Sequence, residues 1–196
     1  MTFPTFGRDQ GALSAPGDPS PVVPGLTNLQ AALFFGAASY NLLPASPWYH
    51  YVAGVFDSYG LPVGLQYTEV EGFLDFFAAM CPYEPNRFAA DYAAMLCNEV
   101  DLPFDDHVAE IRVPVFYVGG AGGIGEVGVY ATTLLGSTDV THLVVRLHPP
   151  GEEVLDYGHL DILTGREAPA LVWQPMLEWI ATHSGRGAAP TVAHGN

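Results

Sequence analysis

Apolar residues recur at helical spacing in several stretches of the chain. From Thr27 onward Leu29, Ala32, Leu33 and Phe34 form one such face, with Thr27 and Asn28 available as caps. Glu69–Met80 and Pro85–Glu99 predict two further helices, and Pro82 and Pro85 force a turn between them. The pattern then changes. Ile111-Arg-Val-Pro-Val-Phe-Tyr-Val118 is a nearly unbroken apolar, β-branched and aromatic run that ends in Gly119-Gly-Ala-Gly-Gly-Ile-Gly125, as expected of a buried parallel strand feeding a glycine loop. A helix is expected over Glu126–Leu135, stopped by Gly136, then a second strand over Thr141–Leu147. After a Pro-Pro-Gly turn and a loop at Gly158-His159, a closing helix should run from about Glu167 to His183. Residues 43–66 interleave Trp48, Tyr49, His50, Tyr51, Phe56 and Tyr59 with Pro and Gly and match neither period.

The order is therefore an irregular segment (1–26), a helical, aromatic cap-like region (27–105), a strand–helix–strand–helix unit (106–183) and a small polar tail (184–196). The βαβα unit predicts an α/β fold with a parallel sheet. Two parallel strands do not stand alone, because both faces and both edges need cover. The first hundred residues offer no further convincing strand, so the sheet is expected to be truncated. It should expose apolar surface and either self-associate or take a complementing chain along its open edge.

Composition narrows the function. A 49% hydrophobic, 12% aromatic chain of 196 residues has material for a real core. Its net charge of −15, from 21 acidic residues against six arginines and no lysine, repels phosphate backbones, so no nucleic-acid partner is expected. Without lysine, a phosphate-loop lysine, a Schiff base or a Ser–Lys dyad is excluded. Cys81 and Cys97 lack zinc-site spacing and are expected as buried thiols or, in an oxidising compartment, a disulfide. No run is long enough to span a bilayer, and residues 1–25 carry no signal pattern. The chain is expected in the cytoplasm if Met1 is the true start, and secretion stays open if sequence lies upstream.

The candidate chemistry is at Asp156-Tyr-Gly-His-Leu-Asp-Ile-Leu163. A histidine between Gly158 and Asp161, leaving a strand and followed by the amphipathic Leu171-Val-Trp-Gln-Pro-Met-Leu-Glu-Trp-Ile180, is how a hydrolase presents its general base. On these residues the chain resembles the esterase and lipase branch of the α/β-hydrolase superfamily. The resemblance covers about residues 105–183, with Val113–Val118 as penultimate strand, Leu143–Leu147 as last strand and residues 28–105 as cap. It implies a serine carboxylic-ester hydrolase acting on a small ester or lipid-like substrate, with His159 as base and no cofactor or metal.

Two departures qualify it. The G-x-S-x-G elbow is absent: none of the seven serines lies in that motif, and Phe56-Asp-Ser-Tyr-Gly60 lacks the first glycine. The family's aspartate after the penultimate strand is replaced by Gly122-Gly123, and Glu126 is the first carboxylate that follows. Glu126 is the candidate acid partner of His159, against the alternative of a carboxylate satisfying backbone donors at a helix start. Asp161 is expected to bind the loop backbone, and the other six histidines to be structural or superficial. The Gly119–Gly125 loop is a poor G-x-G-x-x-G match and is expected to serve close backbone approach. Alone, the chain should be inactive. The alternative is a non-catalytic binding or interaction module, and an unorthodox serine such as Ser58 is a third option.

Overall fold

Thr27 opens the first helix by a capping box. Its hydroxyl accepts from the Gln30 backbone N–H at 3.2 Å, while Gln30 Oε1 accepts from the Thr27 N–H at 3.0 Å. The computed structural model describes residues 15–39, 49–79, 94 and 107–184 of the chain. Helix α1 spans Asn28–Ala37 and is covered on most of its circumference. Its buried side differs from the one the spacing suggests: Phe34 is exposed, while Ala31, Phe35 and Gly36 are covered.

A short antiparallel hairpin follows, β1 (Gly54–Phe56) and β2 (Pro62–Leu65), closed by Asp57, whose Oδ1 accepts from the Tyr59 and Leu61 N–H groups, with Gly60 at φ 77°. The cap-like region therefore does contain strands. They escape a periodicity search because each is three or four residues long and interrupted by glycine and proline. The hairpin pairs with nothing else among the described residues, so it does not extend the parallel sheet.

Helix α2 is Val70–Ala79, with Phe73 and Phe77 turned inward against α1 and the hairpin. Phe73 and Phe77 pack edge to face at 4.7 Å, and burying each contributes about 1.5–3 kcal/mol. The helix expected over Pro85–Glu99 lies outside the described residues apart from Ala94, which is helical, and both cysteines lie outside them as well.

The second half is the expected unit, shortened at several ends. Strand β3 is Val115–Gly120, α3 Gly125–Thr132, β4 Val140–Val145, a single turn α4 Asp161–Thr164 and the closing helix α5 Gln174–His183. Strands β3 and β4 are parallel, with Val115 opposite Val140 and Gly120 opposite Val145. Successive β3 side chains point to opposite faces, and each face is covered. Tyr117 donates to the Gly125 carbonyl of α3, while Phe116 lies 5.5 Å from Trp179 of α5. The closing helix is not continuous: Pro169–Trp173 is a π-helical turn. Pro175 carries no N–H to bond the carbonyl four residues back, which accounts for the widened turn immediately before it.

The molecule is thus a mixed α/β structure with a small parallel sheet. Among the described residues that sheet has two strands, and no helix is long and apolar enough to cross a membrane. Two apolar clusters flank the loop at 156–161. Leu160 belongs to the first, with Leu33, Phe35, Val52 and Phe73, and Tyr157 to the second, with Val145 and Val172.

Candidate active site

The loop after β4 is held almost entirely through backbone groups. Asp156 is fully buried, and its carboxylate accepts from the N–H groups of Leu147, His148 and Tyr157 at 2.8–3.1 Å, which folds the chain back on the end of β4. Asp161, also fully buried, accepts from Gly158 N–H, Ala53 N–H and the Thr68 hydroxyl at 2.7–2.8 Å. Burial pushes the Asp161 carboxyl above its ordinary range, and the three donors and the nearby His50 act against that rise. The expectation that Asp161 braces the loop backbone is what the structure shows.

Residues 49–53 are the second wall. His50 N–H donates to Gly122, Tyr51 and Val52 N–H both donate to Gly36, and the His50 and Tyr51 carbonyls accept from His159 and Leu160 N–H at 3.0 and 2.6 Å. The His50 ring is 1% exposed, with Nε2 at 2.8 Å from the Asp156 carbonyl and Nδ1 without a partner. The sequence marked this stretch only as aromatic. A run of alternating bulky residues around His50 is a weak strand-like signal, and nothing in it announces contact with residues more than a hundred positions away.

Glycines at the end of β3 make the approach possible. A Cβ on Gly120 would lie 2.3 Å from the Tyr157 carbonyl, one on Gly122 2.3 Å from the His50 ring and one on Gly123 2.6 Å from the His159 N–H. An aspartate at 122 therefore cannot be seated without moving the His50 ring or the Glu153 backbone, nor one at 123 without moving the histidine loop. Ile124 follows in the left-handed region at φ 58°, a strained conformation for a β-branched residue, and opens α3.

His159 emerges from this frame with its ring exposed on one side and backed on the other by Tyr49 and Tyr51, at centroid distances of 5.8 and 6.5 Å. That partial desolvation lowers its pKa below the ordinary value, so the imidazole is neutral at pH 7 and can accept a proton. No carboxylate contributes to the shift. Glu126 lies in the first turn of α3 as expected, but its carboxylate is 2.9 Å from Arg146 Nη2, and Arg146 also reaches Glu153 at 3.3 Å. Among the described residues no hydrogen bond or ion pair joins Glu126, Asp156 or Asp161 to the His159 ring.

Three of the described serines have other settings. Ser20 Oγ accepts from Val22 and Val23, Ser137 Oγ donates to Val113, and Ser58 sits exposed in the hairpin turn. Tyr67 ties the far side of the loop, donating to the Leu155 carbonyl at 2.7 Å and lying 2.9 Å from His148 Nε2; burial, with the Asp156 charge, pushes its phenol up to about 12. No group of three or more metal-ligating side chains occurs among the described residues. An open groove of about 220 Å³, lined by Pro114, Trp179, Ile180, His183 and Ser184, lies at the amino-terminal end of β3, opposite the end that meets the His159 loop. No protein-family model matches the chain, and no curated protein or solved structure matches it.

Proposed function

We propose that this chain is the histidine-bearing portion of a carboxylic-ester hydrolase of the α/β-hydrolase kind, with residues 106–183 as the end of its core and the preceding region as its cap. The observation that carries the reading is the setting of His159. It follows the last parallel strand, its loop backbone is locked by Asp161 and by residues 50–51, and its ring is exposed and uncharged at neutral pH. Such an imidazole would take the proton of a serine attacking an ester carbonyl and return it to the leaving alcohol. The substrate would be an uncharged small or lipid-like ester, because the acidic surface disfavours anions. The nucleophile would come from a segment carrying the elbow that this sequence lacks.

The rival reading, a non-catalytic interaction module, draws on one observation: Glu126, Asp156 and Asp161 are each committed elsewhere, so among the described residues the imidazole has no orienting carboxylate.

One experiment separates them. The purified chain, alone and mixed with a polypeptide encoding a strand-flanked G-x-S-x-G from the same genomic locus, is treated with a fluorophosphonate probe and assayed on p-nitrophenyl butyrate. Labelling and turnover only in the mixture, lost in His159→Ala, is the expected result. The rate should persist somewhat below pH 6.5 and then fall as the lowered pKa is crossed. Turnover by the chain alone that survives His159→Ala would remove the hydrolase reading in this form, and inertness of both samples would favour the interaction module.

A further inference from the structure

A general base must present one ring nitrogen in one direction, yet among the described residues no hydrogen bond reaches the His159 ring. The backbone of its loop is fixed: His159 N–H donates to the His50 carbonyl and Leu160 N–H to the Tyr51 carbonyl. That leaves the two side-chain torsions of the histidine. The usual brake is a carboxylate on the far ring nitrogen. It has no seat here, since Gly122 lies hard against the His50 ring and Gly123 against the histidine loop. What does meet the ring is aromatic. Tyr49 and Tyr51 stand at 77° to one another, centroids 5.2 Å apart, and form a corner. The imidazole sits in that corner, 5.8 Å from Tyr49 at 42° and 6.5 Å from Tyr51 at 77°. These are separations at which rings pack with directional preference.

We propose that Tyr49 and Tyr51 are positioning residues that hold the His159 imidazole in one orientation, in place of an acid partner. Their effect on catalysis rests on the hydrolase reading; their effect on the ring does not. The corner is rigid because of what lies behind it. Tyr51 stacks on Phe35 at 5.3 Å and 28°, and Phe35 meets Phe77 edge to face at 6.1 Å, both within the first apolar cluster. Tyr49 is 8% exposed and bridges through its backbone to Gly123, just past the end of β3. Neither ring can swing away without disturbing close-packed neighbours. The residue between them grips the loop differently: the His50 ring packs against Gly122 and Gly158. An aromatic corner and a carboxylate differ in one consequence. A carboxylate would favour the charged imidazolium, whereas the tyrosines exclude water, and burial is what lowers the His159 pKa.

The test is NMR on the full chain, read at the His159 ring. Its Hδ2 and Hε1 protons should report one side-chain rotamer, cross-peaks to the Tyr49 and Tyr51 ring protons, and a titration midpoint below 6.5. Tyr49→Ala should release the ring into several rotamers and move the midpoint up toward 6.5 as water enters. Tyr49→Phe, which restores the ring without the hydroxyl, should recover both. In the mixture with the elbow-bearing polypeptide, Tyr49→Ala should lower kcat on p-nitrophenyl butyrate at least about tenfold with little change in KM, and Tyr49→Phe should recover the rate. Several rotamers in the unaltered chain overturn the proposal. So does a single rotamer that survives both Tyr49→Ala and Tyr51→Ala, or a loss that Tyr49→Phe does not recover. If the alanine variants do not fold, Tyr49→Leu keeps the bulk without the ring, and an imidazole still held in one rotamer there overturns it too. An inert mixture would strike the hydrolase reading alone, because the rotamer is read on the chain by itself.

Discussion

His50 shows how one side chain makes stability depend on pH. Its ring is desolvated and its Nδ1 has no acceptor for a second proton, so burial holds its pKa below the ordinary 6.5, although the Asp156 carbonyl and the Asp161 and Asp156 charges pull it upward. A depressed imidazole pKa means that the unfolded chain takes up the proton first. The contribution is full above pH 6.5 and is lost as pH falls below it toward the folded value. Melting temperature should therefore drop between pH 7 and 5, and His50→Gln, which keeps a donor for Asp156, should flatten that drop. A slope unchanged by the substitution would show that His50 is not the group responsible. Asp161 works in the opposite sense, since its raised pKa adds stability as pH falls through it toward 3.8, so only the difference between variants isolates His50. Asp161 also has a direct structural role. Asp161→Asn turns an amide N–H₂ toward one of three buried donors and should cost about 2–3 kcal/mol in denaturant unfolding. A loss below half a kcal/mol would mean the loop is braced by other contacts. Of these two residues, Asp161 was legible as a loop brace from its place beside Gly158, because such bonds are local. The partners Ala53 and Thr68 were not, because they are 108 and 93 positions away.

Helix α1 and the closing helix separate what local sequence settles from what it does not. The Thr27 capping box depends on residues three apart, so its existence could be anticipated from Thr27 onward. Thr27→Ala should lower stability by about 0.5–2 kcal/mol, measured by thermal or urea unfolding, and Thr27→Ser should restore most of it. Which face of α1 is buried was not settled locally, since nearly all of its residues are apolar and the choice between Phe34 and Phe35 belongs to the packing of Phe73, Phe77 and Tyr51. Strand β3 announced itself as a nearly unbroken apolar run and β4 by the Leu143-Val-Val145 stretch that follows Thr141 and His142. The hairpin did not, because three-residue strands carry no measurable period. In the closing helix the apolar pattern showed one element, while Pro175 breaks it into a π turn and a regular helix, and Trp173, Leu177 and Ile180 remain more than 40% exposed.

At the scale of the whole molecule, charge opposes the fold. A net charge of −15 on 196 residues repels itself, and among the described residues Arg146 and Arg166 answer it at exposed or partly exposed ion pairs that contribute little each. Melting temperature should rise as sodium chloride goes from about 10 mM to about 150 mM, where the screening length falls from roughly 30 to 8 Å. A fall would mean that the Glu126–Arg146–Glu153 and Glu69–Arg166 contacts outweigh the repulsion.

The sequence by itself determined the parallel βαβα order, the position of His159 after the last strand, the missing elbow motif and the acidic character, because each is a matter of local period, spacing or count. Only the tertiary structure decided that Glu126 turns to Arg146 rather than to His159, and that Gly122 and Gly123 leave no room for an acid. It alone showed that residues 49–53 form the floor on which the histidine loop rests. These outcomes depend on which distant backbone groups come within about 3 Å of one another, and such distances are set by the packing of α1, the hairpin and the 156–161 loop together.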